Sequence, residues 1–119
     1  MLIQYHVWFS FKPEADVSAE LIKVRACLDD YLQRGMLAGY RMFKKRPGLS
    51  NDLLPPFHVA IEFTNDAQFA GPFSDVRATG VHQGLHGVMI ENVAQMVVET
   101  FAELPGEREP NGLEGDLAI

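Results

Sequence analysis

Alternation of apolar and polar residues is clearest in two segments of the chain. Residues 3–11 alternate in side-chain class, and the apolar side holds Ile3, Tyr5, Val7, Phe9 and Phe11. The same period of two recurs in residues 57–64, where the shared side holds Phe57, Val59, Ile61 and Phe63. Because successive side chains of a strand point to opposite faces, both segments are predicted to be strands with one apolar face.

A helix is predicted between these strands, from about Val17 to Arg34. Apolar residues recur there at helical spacing, at Leu21, Val24, Leu28, Tyr31 and Leu32. Asp16 or Ser18 is suited to cap the start of this helix, and Gly35 is suited to end it. The single cysteine, Cys27, falls inside the helix, so we expect an inert apolar thiol and no disulfide within the chain.

A second helix is predicted after the strand of residues 57–64. Asn65 is followed three residues later by Gln68, which resembles a capping box. The helical region extends to about Thr79, but Gly71 and Pro72 are expected to interrupt it, with a restart at Pro72.

Two further strands complete the pattern, at Tyr40–Arg46 and at Ala94–Glu103. The order strand, helix, strand, strand, helix, strand predicts a ferredoxin-like α+β fold, βαββαβ, with a four-stranded antiparallel sheet and two helices on one face. The other face would expose several apolar side chains, among them Trp8, Phe43, Val97 and Phe101. A second copy laid against that face would cover them, so we expect a homodimer that forms a barrel.

Length and charge narrow the picture further. The 119 residues fit one domain, predicted at residues 1–104, and the Pro-, Gly- and acid-rich residues 105–119 are expected to form a flexible acidic tail. A net charge of −6 argues against nucleic acid or an anionic membrane as the main partner. The same charge favours a small or uncharged ligand. No apolar run is long enough to span a membrane, so we expect a cytoplasmic protein.

The stretch VHQGLHGVMIEN, residues 81–92, places His82 and His86 four residues apart among glycines. On a helix the pair could share a zinc ion, but Gln83 stands where a zinc protease has its glutamate base, and the glycines weaken the helix. We therefore expect no metal here. Two alternatives remain: the histidines act as acid and base beside a cleft between helices and sheet, or they bond backbone at a helix end with Gly80 as its C-cap.

An apolar wall for that cleft would come from four residues on other elements, Tyr5, Phe69, Phe73 and Met89. In this interpretation His82 is the acid/base group, and His86 and Tyr5 orient or assist it. Phosphate-binding glycine loops and nucleophile elbows have no counterpart in the sequence, and we expect no cofactor.

The opposite face of the sheet offers a second candidate site. Pairing the strand ends places His6 opposite Glu62 and near Glu99, with His58 near Ser10 or Trp8. A histidine between carboxylates favours its protonated form. This group could line a small-molecule pocket in the barrel, ligate a metal or pair with basic residues of the partner, or it could satisfy its own hydrogen bonds and fix how two subunits dock.

Three features give the chain a family resemblance. They are FSFK at residues 9–12, IEFTNDAQF at residues 61–69, and a histidine after the second helix, at His82. The chain resembles the dimeric α+β barrel superfamily, which includes stress-responsive A/B barrel proteins, antibiotic-biosynthesis-type monooxygenases, muconolactone-isomerase-like enzymes and polyketide cyclases. In those cyclases a histidine after the second helix promotes an aldol condensation, and the resemblance implies that role for His82.

Two functions follow as hypotheses. The first is a cofactor-independent cyclase, isomerase or monooxygenase acting on a small apolar carbonyl or aromatic compound, with His82 as acid/base. The second is a non-catalytic protein of the stress-responsive type that binds a ligand or partner through the barrel. Fold alone does not choose between them.

Overall fold

The structure is a computed structural model that describes residues 1–105. Its elements, in chain order, are β1 (Ile3–Phe11), α1 (Val17–Gln33), β2 (Gly39–Lys44), β3 (Phe57–Phe63), α2 (Asp66–Thr79), α3 (Gly84–Ile90) and β4 (Val93–Ala102). The strands form one antiparallel sheet in the order β2-β3-β1-β4. This is the predicted ferredoxin-like α+β fold, with a third helix added.

The core lies between the helices and one face of the sheet. Its buried members from the sheet are Ile3, Phe9, Phe11, Phe57, Val59, Ile61 and Phe63, and those from α1 are Val24, Cys27, Leu28 and Tyr31. The odd-numbered residues of β1 and β3 therefore face the helices, as the period of two predicts. The even-numbered residues of both strands form the opposite, helix-free face.

The predicted strands are confirmed with small differences at their ends. β1 matches at both ends, and β3 is one residue shorter than predicted. β2 was expected to reach Arg46 but ends at Lys44. Beyond that residue only a single backbone bond, from Lys45 N–H to the Pro56 carbonyl at 2.7 Å, extends the pairing with the chain before β3. β4 begins and ends one residue earlier than predicted.

The ends of α1 follow the sequence signals. The Asp16 side chain accepts a hydrogen bond from Ala19 N–H at 3.2 Å and so caps the start of the helix. Gly35 follows the last turn with φ +73°, a left-handed conformation that glycine adopts without strain. The Cys27 thiol is buried beneath this helix, and burial raises its pKa to about 11, so the thiol stays protonated and unreactive.

The expected interruption of α2 is wrong, because the helix runs through Pro72 without a break. Pro72 is buried against the rest of the protein, so packing offsets the loss of one backbone donor. Asn65 caps the helix by accepting from Gln68 N–H at 2.8 Å. Thr64 N–H donates in turn to Gln68 Oε1 at 2.7 Å. In a capping box this donor would be the N–H of Asn65, so the box is shifted by one residue.

The short helix α3 was not predicted as a separate helix. Its segment contains glycines that disfavour a helix by intrinsic propensity, but the backbone requires a glycine at each of the three positions. Gly80 caps the end of α2 with φ +106°, and Gly84 opens α3 with φ +59°. A Cβ on Gly87 would lie 2.3 Å from the backbone carbon and oxygen of His82, so only glycine fits this close approach.

Within the described residues no helix is long and apolar enough to cross a membrane. The tail predicted at residues 105–119 lies outside the described residues, apart from Pro105.

Candidate functional site

Aromatic rings form a continuous column across the helix-free face. The His58 imidazole lies between the rings of Trp8 and Phe43. Its centroid is 4.5 Å from that of Trp8, with 8° between the ring planes, and 5.2 Å from that of Phe43, with 28° between the planes. His6 stacks on Trp8 at 5.7 Å and meets the edge of Phe101 at 5.0 Å. Three strands and the edge strand β4 each contribute a ring, so the sheet register holds the column in place.

A chain of hydrogen bonds runs through the same residues. His6 Nδ1 lies 2.8 Å from His58 Nε2, and His6 Nε2 lies 2.9 Å from Gln4 Oε1. Gln4 Nε2 then donates to Glu62 Oε1 at 3.1 Å. Four polar groups from two adjacent strands are thus linked in sequence, and we call this chain the histidine relay.

The relay is half-buried rather than solvated. Burial lowers the pKa of His58, and the neighbouring His6 lowers it further, so the neutral imidazole is favoured. Within residues 1–105, His58 Nδ1 has no hydrogen-bond partner. A neutral imidazole with a free nitrogen can accept a proton or a hydrogen bond.

The predicted pairing of His6 with Glu62 is wrong by two residues. His6 lies opposite Ala60, and Glu62 lies opposite Gln4. Glu99 does lie opposite His6 on β4, and His58 lies opposite Trp8, as predicted. Glu62 therefore reaches His6 through the Gln4 amide rather than directly.

The site predicted at His82 and His86 is divided by the structure. A cavity of about 310 Å³ lies among α1, α2 and the turn before α3, and His86 lines it. Neither His82 nor Tyr5 is among the residues that line this cavity. The His82 side chain is exposed, and its backbone is the surface on which Gly87 packs.

His86 is oriented by the turn that precedes its helix. Its Nδ1 lies 2.7 Å from the Val81 carbonyl, which can only accept, so Nδ1–H donates and Nε2 is the open nitrogen. Across the cavity Arg34 bridges two carboxylates, with Nε 3.1 Å from Asp30 and Nη2 3.2 Å from Asp75. His86 therefore has the backbone bond of one of the two alternatives, whereas His82 has no described side-chain hydrogen bond, and His86 still lines the cavity.

Tyr5, Phe73 and Met89 pack between sheet and helices instead of forming a common site with His86. The Tyr5 ring meets Phe73 edge-on at 5.2 Å and lies 6.2 Å from Phe69. Burial raises the pKa of Tyr5, which keeps its hydroxyl protonated. Met89 packs against the buried core. Among the described residues no group of three His, Cys, Asp or Glu side chains is arranged to hold a metal ion.

Sequence reasoning missed Gln4, which links the histidine pair to Glu62. Its position two residues before His6 places both side chains on the same face of β1, and this spacing was the available signal. A side-chain amide is neutral and does not titrate, so its role can be recognised only once the positions of its hydrogen-bond partners are known.

The sheet order, the helices on one face and the uncovered aromatic face define a ferredoxin-like α+β protein. The model of a family of unknown function, DUF6614, matches residues 2–115, and the chain belongs to this family. A comparison with curated proteins finds no match.

Three solved structures illustrate the shared fold. Protein At3g17210 of Arabidopsis thaliana has a TM-score of 0.66 and 8% identity, over 89% of this chain and 99% of that one. A dimeric ferredoxin-like protein of unknown function from Thermobifida fusca has a TM-score of 0.60 and 18% identity, over 87% and 92%. SnoaB, a cofactor-independent oxygenase from Streptomyces nogalater, has a TM-score of 0.62 and 6% identity, over 92% and 97%.

Proposed function

We propose that this protein is a homodimeric barrel whose helix-free faces enclose a small, planar and largely apolar compound. In this proposal the histidine relay supplies acid/base chemistry to a cofactor-independent enzyme of the cyclase, isomerase or monooxygenase kind. The observation that carries the proposal is a hydrogen-bonded histidine pair set within a column of aromatic rings. Flat apolar walls select a planar ring, and a neutral imidazole exchanges protons near neutral pH.

The exposed rings of this face support the dimer. Phe43 is 47% exposed and Phe101 is 50% exposed, and Val97 beside them is 36% exposed. A large apolar patch of this kind is typical of a protein interface. The Thermobifida fusca protein, which shares the fold, is described as dimeric, and a two-fold arrangement would bury this patch on both subunits.

Sedimentation of the full chain tests the assembly. We expect the wild-type protein to sediment as a dimer, and Phe101→Asp to shift it to monomer, because a charge would be buried without a partner. The matched control is Ile22→Asp on α1, which is 69% exposed on the helical side and should leave the dimer intact. A monomeric wild-type protein would overturn the barrel.

Trp8 provides a direct test of ligand binding, because it is the single tryptophan of the chain and lies in the column. Titration with nitrobenzene, a planar ring that quenches indole fluorescence, should give saturable quenching in the wild-type protein. His86→Ala should leave that saturation unchanged. Quenching that rises linearly without saturation would mean that the face holds no site.

The cavity beside His86 is a second candidate for the catalytic centre. An open imidazole nitrogen at a cavity of about 310 Å³ favours it, and the resemblance to polyketide cyclases favours His82 nearby. In this alternative His86, rather than the His82 first expected, carries the acid/base role, because neither His82 nor Tyr5 lines the cavity. This alternative is tested with a compound that the protein converts to a product. Loss of activity in His86→Ala together with retained activity in His58→Phe would favour this cavity over the relay.

A non-catalytic binding protein of the stress-responsive type is the remaining alternative. Its relay would fix the docking of two subunits and orient a bound ring without reacting with it. Incubation of the protein with each ring compound that quenches Trp8, followed by product analysis, separates the two functions. Chemical change that depends on His58 supports the enzyme, whereas unchanged ligand recovered from every compound supports the binding protein.

A further inference from the structure

The relay has a fixed direction, which begins at Glu62. A carboxylate accepts hydrogen bonds and donates none, so Gln4 must turn its amide nitrogen toward Glu62, as its 3.1 Å contact shows. The amide oxygen of Gln4 then faces His6 Nε2 at 2.9 Å. That oxygen also only accepts, so the proton of a neutral His6 resides on Nε2.

The same logic extends to His58. With its proton on Nε2, His6 presents a bare Nδ1 to His58, and the 2.8 Å contact requires His58 Nε2 to donate. The proton of His58 is thereby used, and its Nδ1 is left as an acceptor. We propose that Gln4 is a positioning residue which, oriented by Glu62, makes His58 Nδ1 the open proton acceptor of the helix-free face, and that the ligand is a planar ring compound with a neutral hydroxyl donor, of the phenol or enol class.

The second half of this inference rests on the proposed function and names its ligand class. Phe43 and Trp8 flank His58, so a compound that reaches Nδ1 meets apolar rings beside the acceptor. A ring with a hydroxyl group satisfies both features at once. A ligand without a donor would leave the desolvated nitrogen unpaired, which costs affinity.

Proton transfer through the relay balances without any further reactant. The ligand O–H gives its proton to His58 Nδ1 and becomes an oxyanion, while His58 Nε2 passes its own proton to His6 Nδ1. His6 then carries the positive charge with both nitrogens protonated, and its Nε2–H still donates to Gln4. Glu99 lies opposite His6 on β4, so a carboxylate is paired in register with the residue that takes up the positive charge. On the other side of His6, Arg41 of β2 lies opposite Ala60 of β3.

The tautomers can be measured without a ligand, by long-range ¹H–¹⁵N correlation spectra of the imidazole rings in the full chain. We expect His6 and His58 both as Nε2–H tautomers in the wild-type protein. Gln4→Leu removes the acceptor and should give His6 a mixture of tautomers, whereas Gln95→Leu, on the same face without a described side-chain bond, should change neither ring. A wild-type His6 protonated on Nδ1, or tautomers unmoved in Gln4→Leu, would overturn the positioning role.

The ligand class is tested by quenching of Trp8 with para-nitrophenol, in a buffer acidic enough to keep its hydroxyl protonated, and with its methyl ether, para-nitroanisole, in the same buffer. We expect the phenol to bind about tenfold more tightly than the ether, the effect of one hydrogen bond to a desolvated acceptor. His58→Phe should abolish this ratio, and Gln4→Leu should reduce it. Equal affinities would overturn the ligand class while leaving the proposed binding function intact, and no binding of either compound would contradict both.

Discussion

The two faces of the sheet are built from the same strands but differ in the interactions that their side chains make. On the helix-covered face, residues such as Phe9 and Phe63 are buried in a core formed within the chain. On the helix-free face the alternate residues, such as His6 and His58, combine hydrogen bonds with rings that remain partly exposed. One strand can therefore contribute to the core on one side and to the proposed site on the other, because its side chains alternate.

The largest expected effect separates the two faces by one substitution made on each. Phe63→Ala removes a ring that is 1% exposed and should lower the free energy of unfolding by about 3–5 kcal/mol. Phe101→Ala on the helix-free face should cost the isolated chain no more than about 1 kcal/mol while weakening the proposed dimer. Urea denaturation measures both changes, at protein concentrations where sedimentation shows a monomer. Equal losses of unfolding free energy in the two variants would refute the distinction.

Glycines provide a second, smaller contrast between the faces. Gly87→Ala places a Cβ 2.3 Å from the His82 backbone and should destabilise the protein by about 1–3 kcal/mol. Gly39→Ala, at the start of β2 opposite Glu62, meets no atom within 4 Å and should stay within about 0.5 kcal/mol of the wild type. Thermal unfolding of both variants measures the difference, and a Gly87→Ala protein as stable as Gly39→Ala would contradict the close packing of α3.

The smallest expected effect is a pH dependence that belongs to the helix-free face. Burial lowers the pKa of His58 below its ordinary value of 6.5, so the folded protein binds fewer protons than the unfolded chain just below that pH. The free energy of unfolding should therefore fall as the pH falls through 6.5 toward the lowered pKa. His58→Phe should lessen this loss, measured by urea denaturation at several pH values.

The control for that measurement is His82→Ala, which removes an exposed histidine without a described side-chain hydrogen bond. We expect this variant to follow the wild-type pH dependence. A loss of pH dependence in His82→Ala but not in His58→Phe would show that the lowered pKa of His58 does not govern stability in this range.

Much of the fold was predictable because its signals are local. The period of two in β1 and β3 identifies both strands and their buried face, and Asp16 marks the start of α1. The end of β2 was placed two residues too late, since strand ends depend on where the neighbouring strand stops pairing. The helix α3 was missed because the fit of Gly87 against His82 is a tertiary contact.

The candidate site was predictable only in part. His6, Trp8, His58 and Glu62 were correctly placed on one face by alternation, but the register was wrong by two residues, because a shift of two keeps every side chain on its face. Gln4 was missed for the same reason: in the correct register it lies between His6 and Glu62. His82 and His86 are four residues apart in sequence, but only His86 lines the cavity, since the chain turns at Gly84 between them.

The position of β4 has a consequence for handling the protein. Within the described residues β4 pairs with β1 alone, so one edge of this strand of 10 residues offers free backbone groups. Its sequence VAQMVVETFA carries one charge, at Glu99, and edge strands with so little charge are prone to join other edges. Val97 and Phe101 lie on this same strand, so loss of the proposed dimer would leave apolar side chains uncovered beside a free edge, and we expect dissociated variants to remain soluble only at lower protein concentrations than the wild type.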